Sequence, residues 1–333
     1  MKVAVLGSGG WGTALAMRLL ENGHQVALWS YLHEESKQLQ TSLENPLLPE
    51  IRLPEGLQYT SDLNCVTDCA VVVMATPSFA VRETAKAIAP LLSPGTILVS
   101  VSKGVERGTS LRLSQVIRET TQGCFPVAVL TGPSHAEEVV RGVPTGCVAA
   151  CEDLSVAEQV QDLFRGERFR VYSSTDMVGV ELGGALKNVL ALCCGVCTGM
   201  NGGDNTKAML MTRGLTEIAR LGVAMGGKRD TFAGLAGMGD LIVTCTSLNS
   251  RNNRAGILIG QGMPVEQAIA AIGAVVEGYY AVVAARELAA KYQVEMPIVE
   301  MAYRVLYEGA DPVAATVELM SREKRHEMEE SWI

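Results

Sequence analysis

The chain has 333 residues, 48% hydrophobic but only 5% aromatic, and a formal net charge of −8. That length suits about two domains, with a core filled by aliphatic side chains. The acidic balance excludes a general nucleic-acid binder, which needs a basic surface to neutralise phosphates, yet leaves room for a local cationic site.

Residues 3–6 read as a buried parallel strand and residues 13–22 as a helix stopped by Gly23. Between them stands Gly7-Ser8-Gly9-Gly10-Trp11-Gly12. Strand, glycine loop and helix in this order are the arrangement of a dinucleotide site. Gly7 permits the tight turn, Gly9 lets backbone approach a pyrophosphate, and Gly12 allows close packing of helix on strand. A helix opening near Gly10 offers free N–H groups and a positive dipole end to that phosphate.

Residues 25–29 form the second predicted strand. It runs into Trp29-Ser30-Tyr31, with no acid at its tip; Glu34 and Glu35 lie further on. A carboxylate there would select the ribose 2′-OH of NAD. Its absence allows NADP, so dual use or NADPH preference is expected over strict use of NAD.

Further strands are predicted at 70–75, 96–101, 126–130 and 146–151, with an edge strand at 169–172. The run 70–75 carries no polar side chain, as a strand covered on both faces should. Helical patterns at 81–92 and 111–120 fall between these runs. Strands alternating with helices predict an α/β fold built on a doubly wound parallel sheet. In such sheets ligands sit beyond the carboxyl ends of the strands. Three loops fall there: Thr76-Pro77-Ser78, Ser100-Val101-Ser102-Lys103-Gly104 and Thr131-Gly132-Pro133-Ser134-His135-Ala136. Lys103 is thereby a candidate to meet an anionic ligand, and His135 either a general acid or a structural residue of the turn.

After residue 174 the pattern becomes helical: 177–200, 206–225, 254–260, 265–272, 277–292, 297–307 and 312–319. The predicted division is a dinucleotide-binding domain over 1–175 and an all-helical domain over 176–333. The charged tail, 321–333, reads as solvated or frayed. Lys187 sits among Leu182, Gly183, Gly184, Ala185 and Val189. A lysine in so apolar a run either snorkels to solvent or faces a cleft, where desolvation lowers its pKa enough for proton exchange near neutrality. Glu181 is a candidate partner for it. Asp240, in Gly239-Asp240-Leu241, reads as an N-cap or a site acid, with Thr244 one turn on. Ser250-Arg251-Asn252-Asn253-Arg254 concentrates phosphate donors.

The nine cysteines show no secreted-scaffold spacing. Cys193-Cys194-Gly195-Val196-Cys197 reads as packing on a buried helix, since no second ligand pair accompanies it. With four scattered histidines, no catalytic metal is expected. The N-terminal apolar run is too short for a signal peptide and no stretch reads as long enough to span a membrane. A cytoplasmic protein with reduced thiols and no stable membrane anchor is expected.

Taken together, the motifs resemble the NAD(P)-dependent glycerol-3-phosphate dehydrogenases of bacterial type. The resemblance runs from Val3 to about Leu319. It rests on Gly7 to Ala16, Ser102-Lys103-Gly104, Gly132-Pro133-Ser134-His135-Ala136, Gly184-Ala185-Leu186-Lys187-Asn188, Asn205-Thr206-Lys207, Thr212-Arg213-Gly214, Gly239-Asp240-Leu241, Thr244-Cys245-Thr246, Ser250-Arg251-Asn252 and Val276-Glu277-Gly278-Tyr279. It implies an N-terminal Rossmann sheet followed by a helical domain, and reduction of dihydroxyacetone phosphate to sn-glycerol 3-phosphate for phospholipid synthesis. Lys187 would be the proton donor and acceptor. Lys103, Gly132, Ser134, Asn188, Asp240, Thr244, Ser250, Arg251 and Asn252 would line the substrate site. Gly10, Trp11, Tyr31, Lys103, Ala136, Arg251, Val275 and Glu277 would contact the cofactor, and a homodimer is the family expectation. A hydroxy-acid dehydrogenase of the same plan would need a carboxylate clamp. A nucleotide-binding redox sensor would leave Lys187, Asp240 and Arg251 unexplained.

Overall fold

The alternation of side chains along the first strand sets up three layers. In β1 (Lys2–Leu6), Val3 and Val5 pack in one core cluster, and Ala4 and Leu6 in another. The first cluster takes up Leu15, Ala16 and Leu19 from α1 (Gly10–Glu21) and Val160, Leu163 and Phe164 from α6 (Leu154–Phe164). The second takes up Val81, Ala85 and Ile88 from α3 (Val81–Ile88) and Leu113, Val116 and Ile117 from α4 (Leu113–Thr120). A sheet buried on both faces requires apolar residues at every strand position, and the computed structural model shows this for its central strands. It describes residues 1–324 and 326–327; the remainder of the expected frayed tail lies outside the described residues.

The other strands are β2 (Gln25–Trp29), β3 (Gln58–Thr60), β4 (Val71–Met74), β5 (Ile97–Ser100), β6 (Val127–Thr131), β7 (Thr145–Ala150) and β8 (Phe169–Ser174). They form one eight-stranded sheet in the order β3-β2-β1-β4-β5-β6-β7-β8. The doubly wound plan is observed, with two departures from expectation. A short strand, β3, adds to the edge beyond β2. And β7 pairs antiparallel with β6, so β7 and β8 run against the other six. A strand's apolar pattern carries no direction, so the reversal was invisible in sequence. The remaining helices of this half are α2 (His33–Ser42) and α5 (Ala136–Val140).

The helical half is organised around α7 (Met177–Gly199), which starts just after β8. Around it lie α8 (Asp204–Ala224), α9 (Arg229–Ala233), α10 (Asp240–Thr246), α11 (Arg251–Gly260), α12 (Val265–Ala271), α13 (Glu277–Tyr292), α14 (Pro297–Tyr307) and α15 (Pro312–Met320). Contrary to the expectation for membrane spans, α7 is long and apolar enough to cross a bilayer. Its most apolar stretch is 94% buried inside the protein, so its composition reflects burial on all sides by neighbouring helices. Glycine permits the closest of these contacts. A Cβ on Gly195 of α7 would collide with the Asn253 carbonyl oxygen, and one on Gly256 of α11 with that of Leu192. This gives Gly195, inside the cysteine cluster, its packing role.

Two features aim α7 at the sheet. Asp176 accepts from the Gly179 N–H at 2.9 Å as N-cap, and also from Lys228 N–H at 2.8 Å and Thr231 Oγ1 at 2.6 Å. Further along, a Cβ on Gly184 would lie 2.7 Å from Thr131 Oγ1, at the carboxyl end of β6. The next helical turn therefore stands over the strand ends.

Candidate active site

That turn carries Lys187, only 4% exposed. Its Nζ donates to Asp240 Oδ1 and, at 2.6 Å, to Thr244 Oγ1. Thr244 Oγ1 in turn donates to the Asp240 carbonyl at 2.6 Å, so one turn of α10 supplies both partners. Asp240 is the first residue of α10, and its carboxylate pairs with two lysines. Its Oδ2 accepts from Lys103 Nζ at 2.9 Å, and Lys103 also donates to the Gly132 carbonyl at 3.0 Å. Ser134 Oγ donates to that same carbonyl at 3.0 Å. Two lysines from opposite halves thus share one carboxylate beyond the strand ends.

Burial lowers the Lys187 pKa to about 7, with Asp240 pulling it up and the Lys103 charge pushing it further down. An ammonium fully removed from water is costly unless paired, and one carboxylate divided between two ammonium groups pairs it only in part. Glu181, considered as its partner, lies elsewhere. It accepts from Arg112 Nη1 and from the Ser114 N–H at 2.9 Å, since Glu181 and Lys187 stand on different faces of α7. His135 precedes α5, with Nε2 3.5 Å from the Val243 carbonyl, and burial lowers its pKa.

A second cluster adjoins the first through Asn188. Its Oδ1 accepts from Asn252 Nδ2 at 3.0 Å, and Asn252 Oδ1 accepts from the Gly278 N–H at 2.8 Å. Asn252 therefore joins α7, α11 and the start of α13. Ser250 caps α11 by accepting from the Asn253 N–H at 3.2 Å, which leaves Arg251 exposed at the first turn. Glu277 accepts from Ser78 Oγ at 2.9 Å; burial raises its pKa, while Arg107 and Arg251 oppose that rise. Ser78, within a loop already singled out, is the residue whose pairing with Glu277 only the fold reveals.

The glycine loop tests whether a dinucleotide fits. A Cβ on Gly7, at φ +120°, would lie 2.6 Å from the Ala75 carbonyl oxygen, and one on Gly12 would strike the Gly7 carbonyl oxygen. A Cβ on Gly9 would meet nothing within 4 Å among the described residues. Gly9 is also the N-cap of α1 and offers no side-chain cap, so the helix's first N–H groups stay available. Two glycines are closed by packing, and the one that should face pyrophosphate is open. Gly10 lies against Ala136, 3.7 Å from its Cβ to one built on Gly10. The Trp11 indole N–H and Thr76 Oγ1 are buried without a partner among the described residues. Tyr31 stands apart, 81% exposed, edge-on to Trp29. Val275 is partly exposed beside α13 and joins neither cluster. One observation changes the picture at the tip of β2. Glu35, on α2, turns back to the loop and accepts from Ser8 Oγ at 2.8 Å.

Residues 2–157 match the family model described as NAD-dependent glycerol-3-phosphate dehydrogenase N-terminus, and residues 176–317 match the corresponding C-terminus. The chain is 51% identical over 330 residues to the glycerol-3-phosphate dehydrogenase [NAD(P)+] of Desulfitobacterium hafniense, covering 99% of this chain and 94% of that one. It is 52% identical over 329 residues to its namesake from Moorella thermoacetica, covering 98% of each. The crystal structure of glycerol-3-phosphate dehydrogenase from Coxiella burnetii superposes with a TM-score of 0.92 at 39% identity, covering 96% of this chain and 98% of that one. A ketopantoate reductase from Ralstonia eutropha shares the fold alone, with a TM-score of 0.62 at 16% identity. By two family matches in order and near-half identity along its length, the chain belongs to the NAD(P)-dependent glycerol-3-phosphate dehydrogenases.

Proposed function

We propose that this chain interconverts dihydroxyacetone phosphate and sn-glycerol 3-phosphate with Lys187 as the proton donor and acceptor. The observation that carries the reading is a buried lysine, its pKa lowered to about 7, held at the strand ends by Asp240 and Thr244. A reduced nicotinamide held at the glycine loop would supply a hydride to the C2 carbonyl carbon. Lys187 gives its proton to the carbonyl oxygen as charge develops there, and becomes neutral. A donor whose pKa lies near the working pH is efficient in both directions, and the ammonium also stabilises the developing alkoxide. Asp240 keeps Lys187 in place and ties it to Lys103, whose remaining charge faces the anionic substrate. Asn252 fixes the Asn188 amide by taking its oxygen, which leaves Asn188 Nδ2 to donate to a substrate oxygen. Arg251, exposed at the start of α11 above Ser250, is the phosphate anchor, with a bidentate grip available to it. Gly132 and Ser134 close the floor beneath Lys103. Gly7, Gly9, Gly10, Gly12, Trp11, Ala136 and Glu277 border the cofactor, with Tyr31 and Val275 at its rim.

On the same reading residues 1–175 bind cofactor and residues 176–333 carry the chemistry. The enzyme works in the cytoplasm as a homodimer and supplies the backbone of glycerophospholipids. The test is loss of NADH or NADPH absorbance on adding dihydroxyacetone phosphate to the pure protein. Lys187→Ala should lower kcat by about 10²–10⁴ with its circular dichroism unchanged. A folded variant with near-parental turnover removes Lys187 from this role; a parent that oxidises neither cofactor removes the reaction.

A further inference from the structure

Cofactor choice in a sheet of this kind depends on what meets the adenosine ribose. A carboxylate near the end of the second strand accepts from the 2′-OH and repels a 2′-phosphate. Here the strand tip, Ser30-Tyr31, carries no acid. The chain then turns into α2, and the fold brings Glu35 back over the loop. Its Oε1 is held at 2.8 Å by Ser8 Oγ, the side chain between Gly7 and Gly9. Its Oε2 has no protein partner among the described residues. No lysine or arginine occurs from Ser30 to Ser36 to neutralise it, and the nearby His33 ring is 3.1 Å from Ser61 Oγ. Glu34, its neighbour in sequence, is exposed.

We infer that Glu35 is a specificity-determining residue, a carboxylate docked on the glycine loop that favours a ribose 2′-OH over a 2′-phosphate. It stands in for the strand-tip acid from one helical turn further along. Ser8 is its positioning residue: the hydroxyl holds one carboxylate oxygen and leaves the other for the ribose. The chain accepts both nicotinamide cofactors to the extent that this charge permits, so Glu35 sets the ratio between them. The inference rests on the glycine loop being the dinucleotide site.

The experiment measures binding without turnover, by titration calorimetry of the whole protein with ADP-ribose and 2′-phospho-ADP-ribose. Glu35→Gln keeps the acceptor for Ser8 and removes the charge. It should tighten the phosphorylated probe relative to ADP-ribose by about tenfold, because one like-charge contact is relieved. The ratio of kcat/KM for NADPH over NADH should rise in parallel. Glu34→Gln, one residue away, should move the ratio by less than about twofold, since an exposed charge is screened. An unchanged ratio in Glu35→Gln overturns the inference, as does an equal shift in Glu34→Gln, which would mark a general field effect. Failure of the parent to bind either probe would instead overturn the glycine-loop reading on which the inference rests.

Discussion

A side chain added at Gly9 of the sheet half would meet nothing within 4 Å among the described residues, whereas one added at Gly256 of the helical half would strike the Leu192 carbonyl oxygen. The first glycine keeps backbone accessible to something outside the chain. The second lets two helices touch. The same contrast runs through the polar groups. In the sheet half they sit on loops beyond the strand ends, as with Lys103 and Ser134. In the helical half they are buried inside helices, as with Lys187, Asn188, Asp240, Thr244 and Asn252. Loops can present a ligand-binding surface without disturbing the sheet beneath. Buried polar groups on helices hold their geometry more rigidly, but each must find a partner. The site joins the two strategies at Asp240, where a loop lysine and a helix lysine meet.

The sharpest way to break this contrast is a methyl group in each half. Gly256→Ala should destabilise the fold by about 2–3 kcal/mol, since the new Cβ meets backbone that cannot give way; urea unfolding measures it. Gly9→Ala, with φ −60°, should cost under about 1 kcal/mol. It should weaken ADP-ribose binding at least about tenfold by standing where pyrophosphate approaches. Equal stability losses in the two variants would erase the distinction.

The next effect concerns the buried lysine. With its pKa lowered to about 7, kcat/KM for reduction should fall as pH rises through that value, because the proton donor is lost. The oxidation direction should rise through the same pH, because the neutral amine is the acceptor. These profiles report the free enzyme. A flat response from about pH 6 to about 9 would mean that Lys187 does not titrate where its burial puts it.

The smallest effect lies far from the site. Glu217 of α8 is buried and accepts from the N–H groups of Ile298 at 2.9 Å and Val299 at 3.3 Å, at the start of α14. Burial raises its pKa to about 7, while in the unfolded chain it releases its proton near about 4.3. Between these values the folded state binds more protons, so its contribution to stability falls as pH rises. Glu217→Gln should flatten the dependence of Tm on pH across that window. An unaltered slope would assign it to other groups.

Strands and long helices were legible because they solve a local problem. A run such as Val71–Met74, short and β-branched, reads as a strand covered on both faces, and the small-residue pattern of α7 reads as a helix with apolar surroundings on all sides. The polar helix α2 was not foreseen, because Glu34, Glu35, Lys37 and Gln38 supply no continuous apolar stripe. Nor were α5 and α9, too short for their period to register. The site residues could be named from their motifs, but their pairings could not. Glu181, six residues from Lys187, pairs with Arg112, while Asp240, 53 residues away, holds the lysine.

By itself the sequence determined the central strands, the long apolar helices and the glycine loop, since these depend on apolar periodicity and on backbone freedom within a few residues. The direction of β7, the return of Glu35 to Ser8 and the sharing of Asp240 by Lys103 and Lys187 were decided only by tertiary structure. Each depends on where distant segments are brought together. The pKa of a buried lysine depends on the water excluded and the charges within a few ångströms, and only the packed fold specifies those.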